Sequence, residues 1–307
     1  MCSIDPNSSN VTEKPPKVSI GMPVYNGEPY IREALDSLLA QTFTDFELII
    51  SDNASTDNTE TICREYATKD PRIRYIRQPE NRGAIANFKF VLEQARGEYF
   101  MWAAADDVWD SRWIEILLPV ASSYRCLAYG SVKQIDRYGK LVGHPANCRK
   151  FSYTGSRIYR RLKYFIEPPF LGKANPIYGI YPIEKLRQND IFITATYGGD
   201  MLFLYTLLSE TEIRSNCNVY LYKRIHDGFI SSTGQEENKA SLLKKSLKVI
   251  RSILSAHKIG NYLTISEVHE RFILFALLPF SILYTIFEEC KFKSRKLVKN
   301  RRLRSKW

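Results

Sequence analysis

Between residues 17 and 110, four short apolar runs alternate with stretches whose apolar residues recur at helical spacing. That alternation restricts the chain to βαβ units built around a parallel sheet. The runs are Val18 to Met22, Phe46 to Ser51, Ile73 to Arg77 and Tyr99 to Ala103. Between the first two, Ile31, Leu35 and Leu38 share one helical face with Leu39 beside them. "STDNTETICREYA" then sets Asp57 and Glu60 at capping-box spacing, and a further helix fits Ala84 to Ala95. A helix from Trp113 and a strand over "CLAYGSV" continue the pattern. Residues 136–180 lose periodicity and are expected to be a loop-bearing region that shapes a site. Regularity returns in "GGDMLFLYTLLSE", a helix expected to start near Asp200.

At 307 residues the chain can bury one large α/β core with an appendage. The net charge of +11 suggests a nucleic-acid partner until it is located: Lys291 to Trp307 holds nine Lys or Arg and no acid, leaving +2 for everything before it. The six cysteines show no CxxC and no paired His spacing, and the first 15 residues contain no apolar core. The expectation is reduced thiols and no signal peptide.

The strand ends carry the candidate chemistry. The first runs into Pro23, Tyr25, Asn26 and Gly27, an aromatic ring and an amide suited to a nucleobase, with a plain turn as the alternative. The second ends in Asp52 and Asn53, on the same sheet edge and suited to hydrogen-bonding a base or ribose; Asp57 reads better as a helix cap. After the fourth come Asp106 and Asp107, a place for a divalent cation and an anionic ligand, or else a turn. Arg82 beside Gly83 is a diphosphate candidate. Asn175 and Gly179 offer close approach to a donor sugar. Arg224 and His226 fall on one face if their segment is extended, where they could contact a diphosphate or complete a metal shell. Asp200, after two glycines, can project into a cleft as a general base or act as an N-cap. Neither GxGxxG nor GxxxxGK[ST] is present, so a dinucleotide fold and a P-loop are unsupported.

Taken together, the strand-PVYN start, "SDNASTDNT", "ENRGAIANFKFVLEQARGEYF" and the Asp-Asp pair resemble family 2 glycosyltransferases over roughly residues 17 to 230. The resemblance implies a GT-A fold: a Rossmann-like, mostly parallel sheet flanked by helices, here with a helical C-terminal extension. It implies inverting transfer from a nucleotide-diphosphate sugar of UDP or dTDP type to a glycan or lipid-linked acceptor, with Mn²⁺ or Mg²⁺. Base binding is implied near Pro23, Tyr25, Asp52 and Asn53, and metal-diphosphate binding at Asp106. The family's Asp-x-Asp motif departs here, since Ala104 stands at its first acid; Asp106 matches the metal-contacting carboxylate and Asp107 is an added neighbour. The family carries its base before a helix, in the setting of Asp200. No QxxRW follows Asp200, which favours single transfer over processive synthesis.

The expected organisation is a disordered segment 1–16, a catalytic domain 17–235 with a nucleotide-binding half 17–110 and an acceptor half 111–235, a membrane-associating helical extension 236–290, and a polybasic tail 291–307. In the extension, Leu243, Leu247, Ile250 and Leu254 form the apolar face of a basic helix. Phe272 to Phe287 is uncharged but spans only ~24 Å as a helix, so an interfacial or re-entrant hairpin is expected, with a buried core helix as the alternative. Together these predict a cytoplasmic protein peripheral to an anionic membrane, without a nucleic-acid partner. The rival readings are a sugar-phosphate nucleotidyltransferase, which "PVYNGEPY" does not support for want of a phosphate loop, and a non-enzymic lipid- or nucleic-acid-binding protein acting through the tail.

Overall fold

Strands β1 (Val18–Val24) and β2 (Phe46–Asp52) are buried almost throughout, as unbroken apolar runs require when helices cover both faces of a sheet. The structure is a computed structural model describing residues 14–187, 199–225, 262 and 266–304, with the backbone alone given from 293 to 304. Strands β3 (Ile73–Arg77) and β4 (Tyr99–Trp102) complete the parallel part. With β7 (Tyr181–Pro182) antiparallel at the edge, the order is β3-β2-β1-β4-β7. Helices α1 (Ile31–Leu39), α2 (Thr59–Lys69) and α3 (Ala84–Glu93) make the crossovers. The chain moves outward from β1 to β3 and then returns to the other side of β1. The sheet therefore has a switch point between β1 and β4, which opens a crevice at their carboxyl ends.

Close packing protects that arrangement. A Cβ on Gly21 of β1 would stand 2.7 Å from both Phe100 Cζ and Val91 Cγ2, so only glycine lets α3 lie this close to the sheet. Beyond the switch, Trp102 gathers Phe100, Tyr181 and Phe203 edge-on at 4.9–5.6 Å between centroids.

A second sheet has the order β5-β8-β6, from β5 (Val108–Trp109), β6 (Leu127–Ile135) and β8 (Ile213–Arg224). Helix α4 (Trp113–Tyr124) joins its first two strands, and α7 (Gly199–Glu210) leads into β8. The antiparallel pairing of Val108 with Tyr222 brings the end of β8 beside Asp106 and Asp107.

Two expectations are corrected. The region 136–180 is not only loop: it contains α5 (Arg157–Ile166) and a 3₁₀ turn at Asn175–Tyr178, and the short α6 (Ile183–Arg187) follows it. The pattern of α5 is obscured because its buried face includes Arg161, whose charge is met by Glu270, 109 positions away. The apolar C-terminal stretch is no hairpin either. One helix, α8 (Val268–Arg304), runs through Pro279 and across the expected boundary at 291. Its Glu270–Phe292 portion has 23 residues, about 34 Å, enough by length and composition to cross a membrane. The basic helix expected around Leu243 to Leu254 lies outside the described residues. Among the described residues the cysteines are free thiols.

Candidate active site

The loops after β1 and β2 hold each other. Asn26, at φ 52°, donates its N–H to Ser55 Oγ and accepts from the Thr56 N–H through Oδ1. Asp57 accepts from the N–H groups of Thr59 and Glu28, so it binds the start of α2 to the β1 loop, although the N-cap position itself falls on Asn58 and not on Asp57 as expected. These contacts turn Asn26 to loop-building, while Tyr25 is left half-exposed at the sheet edge.

Asp52 departs from its expected role. It is fully buried at the end of β2. Its Oδ1 accepts from the Ser55 N–H at 2.8 Å, and its Oδ2 accepts from the Tyr75 hydroxyl at 2.8 Å and the Arg77 guanidinium at 3.0 Å. With three donors on its carboxylate, Asp52 shapes the crevice from beneath and does not face it. Asn53 is also buried: its N–H donates to the Val24 carbonyl, its Nδ2 to Asn81, and its Oδ1 accepts from the Arg82 N–H. It thereby fixes the loop on which the exposed Arg82 stands. Pro23 lies within β1 opposite Ser51.

At the end of β4 the two acids differ. Asp106 is half-buried; Asp107 is buried, with Oδ1 accepting from the Arg224 N–H at 2.8 Å and Oδ2 without a hydrogen-bond partner. Burial first, and then the neighbouring Asp106 charge, push the Asp107 carboxyl up to about 7. Arg224, expected at a diphosphate, is 1% exposed and fully engaged elsewhere. Its guanidinium donates to the carbonyls of Asp106, Asp136 and Arg137 and pairs with Glu33, while lying over the Tyr30 ring. It is a clamp on the Asp106–Asp107 loop. His226 lies outside the described residues.

The residue before Arg224 supplies what the sequence reading missed. Lys223 points to the opposite side of β8, into a cavity of about 160 Å³ lined also by Ala84, Phe88, Ala174, Tyr178 and Asp200. Its ammonium donates to Asn175 Oδ1 at 3.2 Å and lies 5.5 Å from the Tyr178 ring centroid. Asn175 is buried behind the cavity wall, and its Nδ2 has no hydrogen-bond partner. Asp200, at the N-terminus of α7, accepts from the Met201 N–H and keeps a half-exposed carboxylate on the cavity. Burial raises the Tyr178 phenol well above the usual range, and Asp107, Asp106 and Asp200 add to that rise. Gly179 plays a packing part: a Cβ there would stand 2.5 Å from the Ala128 carbonyl oxygen and from Leu127 Cδ1. The alternation along β8 contained the signal for Lys223, but only the pairing of β5 with β8 decides which of two adjacent cations faces the cavity.

Among the described residues no three His, Cys, Asp or Glu cluster as a ready-made metal site. The donor set at the switch point is nonetheless of the right kind for a hard cation: adjacent carboxylates, one carrying a buried oxygen with no partner.

A crevice at a sheet switch point, edged by acids from two elements and one lysine, on this arrangement of a parallel sheet and a smaller companion sheet, defines a glycosyltransferase of the GT-A class. The chain belongs to glycosyl transferase family 2, whose profile matches residues 19–178, just over half of it. The glycosyltransferase GlyA of Streptococcus pneumoniae serotype 4 is 35% identical over 243 residues, 79% of this chain and 30% of that protein. An uncharacterized glycosyltransferase of Rickettsia bellii is 36% identical over 134 residues, 42% of this chain and 19% of that one. The chain thus spans under a third of the length of these curated relatives. In fold it is similar to S. aureus TarS 1–349 in complex with UDP-GlcNAc, with a TM-score of 0.56 at 22% identity over 81% of this chain and 73% of that one. It is also similar to the mannosyltransferase PcManGT of Pyrobaculum calidifontis in complex with GDP-Man and Mn²⁺, with a TM-score of 0.51 at 16% identity over 89% of this chain and 74% of that one.

Proposed function

We propose that this chain moves one sugar from a nucleoside-diphosphate sugar to a hydroxyl of a glycan or lipid-linked acceptor, with inversion. The observation that carries the reading is that Asp200 from the start of α7 and Lys223 from β8 line one cavity, while Arg224, the next residue of β8, holds the Asp106–Asp107 loop. The two groups divide the labour of a displacement. Asp200 accepts the proton of the attacking hydroxyl, and its own hydrogen bond from the Met201 N–H holds the carboxylate in place. Lys223 places a fixed positive charge where the departing diphosphate accumulates negative charge. Asn175, which accepts from the Lys223 ammonium through Oδ1, positions that lysine beside the donor sugar and phosphate. Tyr25, exposed at the end of β1, offers a face for the base, which we take to be of UDP or dTDP type.

Asp106 and Asp107 would hold Mn²⁺ or Mg²⁺, which supplies charge neutralisation of the diphosphate when bound. Arg224 serves that pair by fixing the main chain of both. Residues 17–235 make up the catalytic unit in this reading, the nucleotide held by 17–110 and the acceptor by 111–235.

The test separates binding from turnover. Asp200→Asn is expected to keep donor-dependent thermal stabilisation with Mn²⁺ while transfer falls by about 10²–10⁴. The anomer formed by the wild type, followed by NMR, should be inverted. Wild-type turnover in the variant, or a retained anomeric configuration, removes Asp200 from the mechanism.

A further inference from the structure

Helix α8 is amphipathic in the reverse sense to a helix of a water-soluble domain. Glu270, Ser281 and Thr285 are 0–2% exposed against the body of the protein, with Leu274 the one apolar side chain as deeply buried on that side. Outward stand Phe272, Phe275, Phe280, Leu283 and Phe287, each 57–73% exposed. Their spacing follows the helical repeat, so they form one continuous apolar face about 22 Å long. A patch of this size is covered by something in the working protein.

The neighbouring sequence says by what. The same helix continues to Arg304, and after Glu288 and Glu289 the stretch Lys291 to Trp307 carries nine Lys or Arg and no acid, so dense positive charge lies one turn beyond the apolar face. We propose that α8 docks the protein on an anionic phospholipid bilayer, its phenylalanine face sunk among the acyl-chain boundaries and its basic end on the headgroups.

The contacts of α8 also fix its pose. Glu267 pairs with Arg157, Glu270 with Arg161, Tyr284 stands near Arg149, and Phe292 lies 6.5 Å from the His144 ring. Contacts spread over that whole length lay the helix flat on the protein body. A spanning pose would carry three arginines into hydrocarbon, at a cost of several kcal/mol each. The helix therefore lies in the interface. His144, beside Phe292, lies within electrostatic range of Lys223. A bilayer-docked α8 brings the site to the membrane surface, where a lipid-linked acceptor presents its hydroxyl.

Vesicle binding is read without sugar transfer, so it stands or falls apart from the transferase reading. The full chain is floated with phosphatidylcholine vesicles, and with vesicles containing roughly one-third phosphatidylglycerol, at low and high salt. It is expected to float with the anionic vesicles and to be released by salt. Combining Phe272→Ser, Phe275→Ser and Phe280→Ser should lower partitioning by about tenfold or more at an unchanged melting temperature, and Phe280→Ser alone should lower it in the same direction by less. Wild-type partitioning in both variants overturns the proposal, as does failure to float with either vesicle. A soluble dimer that these substitutions convert to monomer also overturns it, because a second copy then covers the face.

Discussion

The main-chain N–H of Arg224 donates to Oδ1 of Asp107 at 2.8 Å, joining the last residue of β8 to the acid after β4 across 117 positions of sequence. The Arg224 side chain then returns to the Asp106 carbonyl, so one residue holds both members of the acidic pair from behind. Asp107 Oδ2 is left buried without a hydrogen-bond partner. The pair is thus positioned before any ligand arrives, which is what electrostatic preorganisation requires.

Arg224→Met should be among the most destabilising substitutions in the chain. It leaves the carbonyls of Asp106, Asp136 and Arg137 without their donor, for an expected loss of about 2–4 kcal/mol, discounted for the exposure of Glu33. Arg224→Lys should recover little of it, since an ammonium cannot reproduce the planar fork. Urea unfolding midpoints measure both.

Lys223→Gln tests the neighbouring cation independently of stability. The Lys223 side chain lines the cavity, so melting should change little while kcat/KM for the donor falls by roughly 10–100-fold. Lys223→Arg should restore part of that loss. A variant with wild-type kcat/KM would take the lysine out of the donor site.

Gly179→Ala should destabilise by about 1–3 kcal/mol through the Cβ clash with the Ala128 carbonyl and Leu127. The backbone there has φ −79°, so the cost is steric and not conformational. Equal stability of the variant in chemical denaturation would contradict the packing seen here.

Lys173 should impose a pH dependence on stability. It is fully buried and donates to the carbonyls of Tyr164 and Phe165 in the last turn of α5. Burial pushes it down to about 7, against the opposing pull of Glu167 and Asp200. Between about 7 and the ordinary 10.5, the unfolded chain holds a proton that the native state does not, so stability rises with pH across that window. Denaturant midpoints compared from about pH 6 to about pH 9 should therefore show wild type gaining on Lys173→Met. A constant difference would mean that the native amine does not titrate there.

Strands β1, β2 and β4 were legible because each is an apolar run buried almost throughout, and nothing distant is needed to make Val18 to Met22 or Phe46 to Ser51 a strand. The crevice was legible for the same reason, as strand ends converge on one edge in any such sheet. Helix α5 was not, because its inward Arg161 is satisfied by Glu270 from α8, and a local pattern counts that arginine as polar surface. The continuity of α8 through Pro279 was likewise hidden, since a proline in an apolar 16-mer reads as a break.

The sequence by itself determined the family's sheet and the set of acids at its edge, since apolar runs and strand-end residues are local properties of the chain. Tertiary structure decided their individual roles. Asp52 is occupied by Tyr75 and Arg77 from β3, Asp107 is held by β8, and the β5–β8 register turns Lys223 toward the cavity and Arg224 away from it. Adjacent residues on a strand face opposite sides, so their roles depend on which neighbour the strand meets, and that is set by contacts more than a hundred residues apart.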